Sequence, residues 1–514
     1  MKALKVLAFI LGGIAAIALT AAALIALTFD VNRVKSEVIQ IVKDKRQRTL
    51  KLEGDVAFSF WPDIGIKLEK AALSEHNNDK EFAALDSAHV SVALLPLLQK
   101  QIVVDRVKLI GVKAAIVRYK DGTFNFDDLL TKDKEESPVL RFDITGAQLA
   151  GAKLSYHDEQ SGQTVSLSNL DLNTGHLGKA AQGKFELVTK LAGDKPEMAA
   201  EVKLSGQYRY DLEQKNFGLS NLDAKLNGAV AGTGDLDLAL AVAALQLHPA
   251  TGTIELEKLE LAARGKTGEG GFDIKVSVPR LAASAEKVSG EVLDAVIKYA
   301  GTRHNMTARL NFSGVDGSAS QLKIAKLALA VDAKLDETTV KGTLDSSLVA
   351  NLKTQVMELP KLSGEFDVAH PRMPMKSVKL PLNGNMRADI DKKSAAGEVN
   401  ARFDESKIHA KWNITQFAPL ALNLNLDIDQ LNVDKYLPPK STGATGTAAA
   451  TAAARPADQP LDFSILKGLS LSGAVKIGTF QVSNIKASNV RLDLKAANGQ
   501  LDISPLSANL YQGS

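Results

Sequence analysis

Leu422-Asn423-Leu424-Asn425-Leu426-Asp427-Ile428-Asp429 carries an aliphatic side chain at every second position and a polar one between each pair. A helix would scatter these leucines around its surface, whereas an extended strand puts them all on one face. The segment therefore reads as a strand with one apolar and one wet face. Working outward, the same alternation recurs at Leu50, Leu52, Val56, Phe58 and Phe60, interleaved with Thr49, Lys51, Glu53, Asp55 and Ser59. It returns in Ile254-Glu255-Leu256-Glu257 and in Phe272-Asp273-Ile274-Lys275-Val276-Ser277-Val278. Asp121-Gly122, Asn227-Gly228, Asn383-Gly384 and Asn498-Gly499 are hairpin-turn dipeptides that punctuate these runs. The predicted fold class is mostly β and antiparallel. Glu286–Tyr299 is the one stretch whose pattern also suits a helix.

Alternation does not say what covers the apolar face. Packed against a second sheet it is sandwich core, the ordinary interpretation. Two features point instead to an open surface. The apolar positions are overwhelmingly Leu, Val, Ile and Ala, with aromatics at only 5%, a lining suited to acyl chains as well as to a core. The alternation also runs through most of the 514 residues. At roughly 12 residues per strand and about 4.8 Å between strands, about 40 strands in one sheet would reach nearly 200 Å. Such a sheet twists and curls into an elongated groove. Its candidate lining residues are Leu50, Leu52, Val56, Phe58, Phe60, Ile254, Leu256, Phe272, Ile274, Val276, Leu422, Leu424, Leu426 and Ile428. The residues alone leave core and groove both open.

Val6 to Phe29 is a run of 24 residues without a charge. As a helix it would span roughly 36 Å, enough to cross a bilayer. Lys2, Lys5 and Ala21-Ala22-Ala23 also fit a cleaved signal peptide, but the apolar run continues through Leu24, Ile25, Leu27 and Phe29. That exceeds the usual apolar core of about 7–15 residues and favours an uncleaved transmembrane helix over 6–29. Arg33, Lys35, Lys43, Lys45, Arg46 and Arg48 follow it, so a literal positive-inside count sends the large domain to the cytoplasm. Long domains translocate largely regardless of charge, so composition does not decide the side.

Val31, Val34, Val38, Ile41 and Val42 fall at helical spacing after Asp30 and predict a juxtamembrane helix over 30–48. Its basic side chains suit either anionic head groups or plain solvation. Beyond it are expected a β domain at 49–131, an exposed hinge at 132–138 and a central β region at 139–437. Residues 438–460, rich in Ala, Thr, Gly and Pro, read as a flexible linker, since they bury too little apolar area to order. A carboxy-terminal β region, 461–514, stops inside a strand-like pattern and is expected to be incomplete. Leu167-Ser168-Asn169-Leu170, Leu219-Ser220-Asn221-Leu222 and Val482-Ser483-Asn484-Ile485 share one tetrapeptide shape. Gly111-Val112-Lys113 and Gly151-Ala152-Lys153 each lead into a tyrosine, an aspartate and a glycine. Their spacing is irregular, which argues for reused hairpins more than for a strict repeat.

No enzyme chemistry is legible. There is no cysteine, hence no disulfide, thiolate site or cysteine nucleophile. The histidines at 76, 89, 157, 176, 248, 304, 370 and 409 show no metal-ligand spacing. Gly265-Lys266-Thr267 resembles the end of a phosphate loop, but Glu260 stands where that motif needs glycine. No Gly-x-Ser-x-Gly elbow occurs. The net charge of +3 gives no global preference for nucleic acid. No catalytic residue, metal or cofactor is expected.

The chain resembles the AsmA-like proteins of bacteria with two membranes. The resemblance lies in Phe29-Asp30-Val31-Asn32-Arg33-Val34-Lys35 after the span, then in Leu50-Lys51-Leu52-Glu53-Gly54-Asp55 and Phe58-Ser59-Phe60-Trp61-Pro62-Asp63-Ile64-Gly65. It continues through Leu94-Leu95-Pro96-Leu97-Leu98, Val107-Lys108-Leu109-Ile110-Gly111 and Phe124-Asn125-Phe126-Asp127-Asp128-Leu129-Leu130. Phe403-Asp404-Glu405-Ser406, Asp434-Lys435-Tyr436-Leu437-Pro438 and Pro505-Leu506-Ser507-Ala508-Asn509-Leu510-Tyr511-Gln512-Gly513 complete it. It implies an inner-membrane anchor with residues 1–5 cytoplasmic and the large domain in the periplasm. It also implies a role in outer-membrane biogenesis, touching outer-membrane protein assembly and lipopolysaccharide levels. Larger relatives look like bridges that carry phospholipid along a groove. Membrane lipids and outer-membrane assembly partners are the implied ligands, and no catalytic residues carry over.

Overall fold

The computed structural model describes residues 31–59, 65–92, 103–130, 141–268, 270–284, 286–371, 375–417, 419–436, 469–497 and 500–510. The predicted span 6–29, Phe60, the hinge 132–138, the linker 438–460 and Asn498-Gly499 lie outside them. Among the described residues no helix is long and apolar enough to cross a membrane.

The fold is mostly β. Helix α1 (Val31–Arg46) comes first; α2 (Asp127–Leu130) is a single turn, and everything else of regular structure is strand apart from one 3-10 turn, Val433–Lys435. There are 27 strands among the described residues. Most run 12–16 residues, longer than the roughly 12 per strand including turns assumed above, hence fewer strands than expected. They form two compact units, Met1–Ala250 with Glu260–Thr267, and Thr251–Leu259 with Gly268–Ser514. This division falls at β13 (Thr253–Thr267), inside the region 139–437.

In the amino-terminal unit, β1 (Leu50–Leu52) and β2 (Val56–Ser59) both pair with β3 (Gly65–Ser74), which pairs with β4 (Glu81–Val92). β5 (Val103–Ile110) and β6 (Lys113–Arg118) follow each other along β4. β7 (Arg141–Asp158) then lies parallel to both. β8 (Gln163–Thr174), β9 (Ala180–Asp194), β10 (Glu197–Asp211), β11 (Asn216–Val230) and β12 (Thr233–His248) continue the ladder antiparallel. The two similar segments noted in the sequence meet here: Lys113 pairs with Lys153 and Arg118 with Asp158, side by side and in phase.

A seam of β-bulges crosses this unit. Lys70, Gly111, Gly151 and Asn169 all have positive φ, on β3, between β5 and β6, on β7 and on β8. Gly111 N–H donates to the Ala150 carbonyl (2.9 Å), and Gly151 N–H to the Asp171 carboxylate (2.8 Å), so the bulges align across neighbouring strands. A side chain at Gly111 would collide with Asp86, which leaves glycine as the residue for that position. The residues after three of these bulges, Ala71, Ala152 and Leu170, turn inward and are buried. Bulges bend and twist a sheet locally.

In the carboxy-terminal unit, β14 (Gly270–Ala283) pairs with β15 (Val288–Gly290) and β16 (Leu293–Gly301), and both pair with β17 (His304–Ser318). β18 (Gln321–Leu335), β19 (Thr338–Asn351), β20 (Val356–Ala369), β21 (Val378–Asp389), β22 (Ser394–Phe403), β23 (Ser406–Phe417) and β24 (Leu420–Asn432) follow antiparallel. β25 (Leu469–Val482) then pairs parallel with β24, and β26 (Ile485–Ala497) and β27 (Gln500–Leu510) close the series antiparallel.

Three expectations need correction. The sheet is not purely antiparallel, because β5–β7, β6–β7 and β24–β25 are parallel. Each parallel pair is joined by a long crossover, which parallel strands require. Glu286–Tyr299 is β15 and most of β16, since Ala295 and Ile297 find strand neighbours on both sides. Asn227-Gly228 and Asn383-Gly384 lie within β11 and β21, not at turns. Their glycines face neighbouring backbone on the apolar side, and the true turn after β11 falls at Ala231-Gly232. Asp121-Gly122 is the turn expected, with Gly122 N–H donating to the Tyr119 carbonyl (3.0 Å). The shared tetrapeptide resolves into left-handed asparagines: Asn169 and Asn221 make bulges, whereas Ser483-Asn484 makes a hairpin turn.

Candidate functional site

Each unit carries one aliphatic and one charged face. In the carboxy-terminal unit, Leu382, Ala401, Ile408, Ile428, Ile477 and Val490 stand in one cross-strand row. Met386, Gly397, Trp412, Leu424, Gly473 and Leu494 form the next but one. Large residues lie over glycines: a Cβ on Gly397 would come within 2.8 Å of the Trp412 ring, and one on Gly342 within 2.3 Å of Phe366. The opposite face is polar and ties itself together. Asn383, Asn400, His409, Asp427 and Lys476 share a row in which Asn400 Nδ2 donates to Asn383 (3.3 Å) and His409 Nδ1 meets Asn400 Oδ1 (2.7 Å).

The amino-terminal unit repeats this plan. Leu172, Leu187, Leu204, Ala224 and Leu240 form an aliphatic row, and Lys190, Glu201, Asn227 and Asp237 a polar row on the other face.

Burial decides between core and open face. A sandwich core would enclose leucines completely. Among the described residues the largest fully buried side chains are Arg48 and Ser91, and the buried apolar residues are mostly alanines. Leu422, Leu424, Leu426 and Ile428 alternate with exposed Asn and Asp as expected, but they are only half-buried. Apart from a buried cluster of Ile477, Ala487 and Val490, against which Ile428 packs, the aliphatic faces are only partly covered among the described residues.

The candidate lining residues are distributed between the two units. Leu50 and Leu52 are half-buried on β1, Val56 is half-buried on β2, and the backbone of Phe58 pairs with Ile66. Phe272, Ile274 and Val276 lie together on β14, facing Tyr299, Ile297 and Ala295 of β16. Leu256 is half-buried on β13, but Ile254, near the strand end, is 47% exposed. The aliphatic rows of β8–β12 were missed. Their signal was the same alternation, visible in Leu236-Asp237-Leu238-Ala239-Leu240.

The buried Arg48 was also missed. It donates through Nε and Nη2 to the Asp128 carboxylate (2.7 and 2.5 Å), through Nη1 to the Ser74 carbonyl (2.7 Å) and through Nη2 to the Asn125 carbonyl (2.6 Å). Its guanidinium also stacks over Phe82. Arg46 donates to the Asp128 carbonyl (3.2 Å), and Lys35 to the Gly54 carbonyl (2.6 Å), so α1 is fastened near its start to the β1–β2 connection and at its end to α2. The Arg48 hydrogen bond holds the Asp128 carboxyl below its ordinary pKa, against the opposing effect of burial. Among the described residues no group of three or more acidic or histidine side chains could hold a metal.

Protein AsmA of Escherichia coli (strain K12) is 25% identical over 218 residues, covering 40% of this chain and 34% of that protein. The match thus spans about a third of the relative. No solved structure matches. The family model described as the AsmA family matches residues 1–514, the whole sequence with its strand runs and the segments that flank them, and on that match the chain belongs to the AsmA family.

Proposed function

We propose that this chain handles lipid passively in outer-membrane biogenesis, sheltering acyl chains on its aliphatic faces while head groups stay wet. The observation that carries this reading is the half-open state of the leucine rows in a protein whose one buried leucine among the described residues is Leu170. Exposed aliphatic area costs about 25 cal/mol per Å², so a hydrocarbon ligand gains what a second sheet would otherwise supply. Residues 6–29 serve as an inner-membrane anchor and the large domain sits in the periplasm. On this reading transfer is passive, and its direction comes from partners. The test is native mass spectrometry with lipid extraction on the full chain in mild detergent. Several phospholipids per chain are expected, and Leu424→Asp with Leu426→Asp should release those held by the carboxy-terminal unit. A folded double variant that keeps its full lipid complement would sink the idea.

One observation favours a second reading, a scaffold for outer-membrane protein assembly. β27 pairs with β26 alone among the described residues, and its Leu501, Ile503 and Leu506 are exposed, the last at 67%. Such an edge can accept an added strand. Copurified outer-membrane polypeptides without enriched lipid would favour this reading.

A further inference from the structure

The polar face of the amino-terminal unit changes character toward one end of β9–β12. Through the middle of these strands its charges pair along each strand, Glu201 with Lys203 (2.7 Å) and Asp223 with Lys225 (3.6 Å). Near the end the cross-strand row is Gln182, Arg209, Gly218 and Gln246, and the next row carries Asp211 and Asn216. Gln182 and Arg209 share the face of Lys190 and Glu201, since each lies an even number of residues away along its strand. An open cleft of about 710 Å³ lies here, within the range of roughly 300–1,000 Å³ usual for small-ligand sites. Among the residues that line it only Arg209 and Asp211 carry formal charge.

Gly218 is the floor of this cleft. Its φ is not in the left-handed region, and its pairing with β10 is regular from Ser220 to Asn216, so neither a turn nor a bulge requires glycine. A Cβ there would stand 3.6 Å from the Arg209 carbonyl oxygen and 3.9 Å from that of Leu245, ordinary contact distances, in contrast to the collisions at Gly342 and Gly397. Glycine inside a strand weakens it, and where packing does not demand it the bare backbone serves the close approach of a ligand. The groups around the floor keep hydrogen-bonding capacity in hand. Arg209 donates through Nη2 to Gln182 Oε1 (3.0 Å) and makes no ion pair among the described residues. Asp211 Oδ1 accepts from the N–H groups of Glu213 and Gln214 (both 2.9 Å), while its Oδ2 accepts from no described residue. Asn216 Oδ1 meets His248 Nδ1 (3.0 Å).

We infer that this cleft binds a neutral carbohydrate. A polyanion would find one guanidinium offset by one carboxylate. An acyl chain would strip water from carboxamides with which it cannot hydrogen-bond. A peptide added as a strand needs an open edge, and β10 and β11, which carry Arg209 and the floor, are each paired on both sides. Sugars present neighbouring hydroxyls that both donate and accept. The carboxamides of Gln182 and Gln246, the Arg209 guanidinium and the Asp211 carboxylate answer that pattern, and the bare floor lets a ring lie against the backbone. The cleft is on the face opposite the aliphatic rows, so it fills independently of any acyl chain held there.

Saturation-transfer NMR on the full chain, held in a detergent without a sugar head group, tests this. The probes are neutral oligosaccharides of glucose, mannose, galactose and N-acetylglucosamine at millimolar concentration, with inorganic phosphate and an end-blocked alanine peptide beside them. A neutral galactolipid is offered separately and its retention read by native mass spectrometry against phosphatidylcholine. Free sugars that bind mark a soluble glycan as the ligand; retention of the galactolipid alone marks a glycolipid head group. Gly218→Leu, which fills the floor, should weaken binding at least about tenfold while the melting temperature holds or rises. Gln182→Ala with Gln246→Ala, which removes two carboxamides without adding bulk, should weaken it likewise. The proposal is overturned if neither sugars nor galactolipid bind, or if binding persists in both variants. It is equally overturned if phosphate or the peptide binds instead and Gly218→Leu removes it, which would make the cleft an anion or peptide site.

Discussion

At the scale of single residues the most consequential side chain is Arg48, an ion withdrawn from water at the point where α1 meets the sheet. Its four hydrogen bonds fit a fork-shaped, permanently charged group, which lysine cannot imitate. Arg48→Met strands Asp128 and the Ser74 and Asn125 carbonyls, and should cost about 3–5 kcal/mol, the usual effect of removing one partner of a buried pair. A thermal melt followed by circular dichroism checks it. The pair also sets an acid limit. Asp128 titrates lower in the folded protein than in the unfolded chain, so its contribution is fully present above the unfolded carboxylate value, about 3.9. It is lost as pH falls through the folded value. Asp128→Asn should lower stability at neutral pH and flatten its decline below about pH 4, which stability measurements across that window would show. None of this was legible beforehand. Arg48 looked like one more basic residue of the predicted helix, and its partners lie at residues 74, 125 and 128, brought near only by the ladder.

At the scale of elements, bulges and crossovers give the strands their placement. Asn221 has φ of 49° where β11 shifts register against β10. Asparagine tolerates this conformation and a β-branched residue does not. Asn221→Val should cost about 1–2 kcal/mol in chemical denaturation, while Asn221→Gly should be nearly neutral. The β24–β25 pair makes a second demand. Leu420 pairs with Leu469 and Asn432 with Gln481, so the chain leaving β24 must return the full length of the strand before β25 begins. At about 3.3 Å per residue that is roughly 40 Å, or at least a dozen residues. Halving the connection 437–468 should leave stability within about 1 kcal/mol, because closure entropy varies slowly with length. Cutting it below about ten residues should abolish protection of β25 amides in hydrogen exchange. Composition marked residues 438–460 of that connection as a linker. Its role as a parallel crossover follows only from the pairing.

At the scale of the whole molecule, strands lean chiefly on their ladder neighbours, as in repeat proteins, and stability is then a sum of local terms. With two compact units, unfolding should not be two-state. In a Trp61→Phe background, Trp412 fluorescence reports the carboxy-terminal unit alone. Its denaturant midpoint should differ from that of far-ultraviolet circular dichroism. Coincident midpoints would mean that the units unfold as one.

The period-two alternation by itself determined that this is a strand protein, which side of each strand is apolar, and that the apolar residues are aliphatic. These are local properties, set by the pleat and by composition. It also marked Ser-Asn as a recurring device, though not whether a given copy would bulge a strand or turn a hairpin. Only the tertiary structure decided what stands opposite the leucines, since a side chain's burial depends on whatever the rest of the chain places above it. It likewise moved Asn383-Gly384 from a turn to mid-strand, where the glycine's missing side chain serves close backbone packing. It alone gathered Gln182, Arg209 and Gln246 into one row, because cross-strand neighbours are fixed by pairing register and not by distance along the chain.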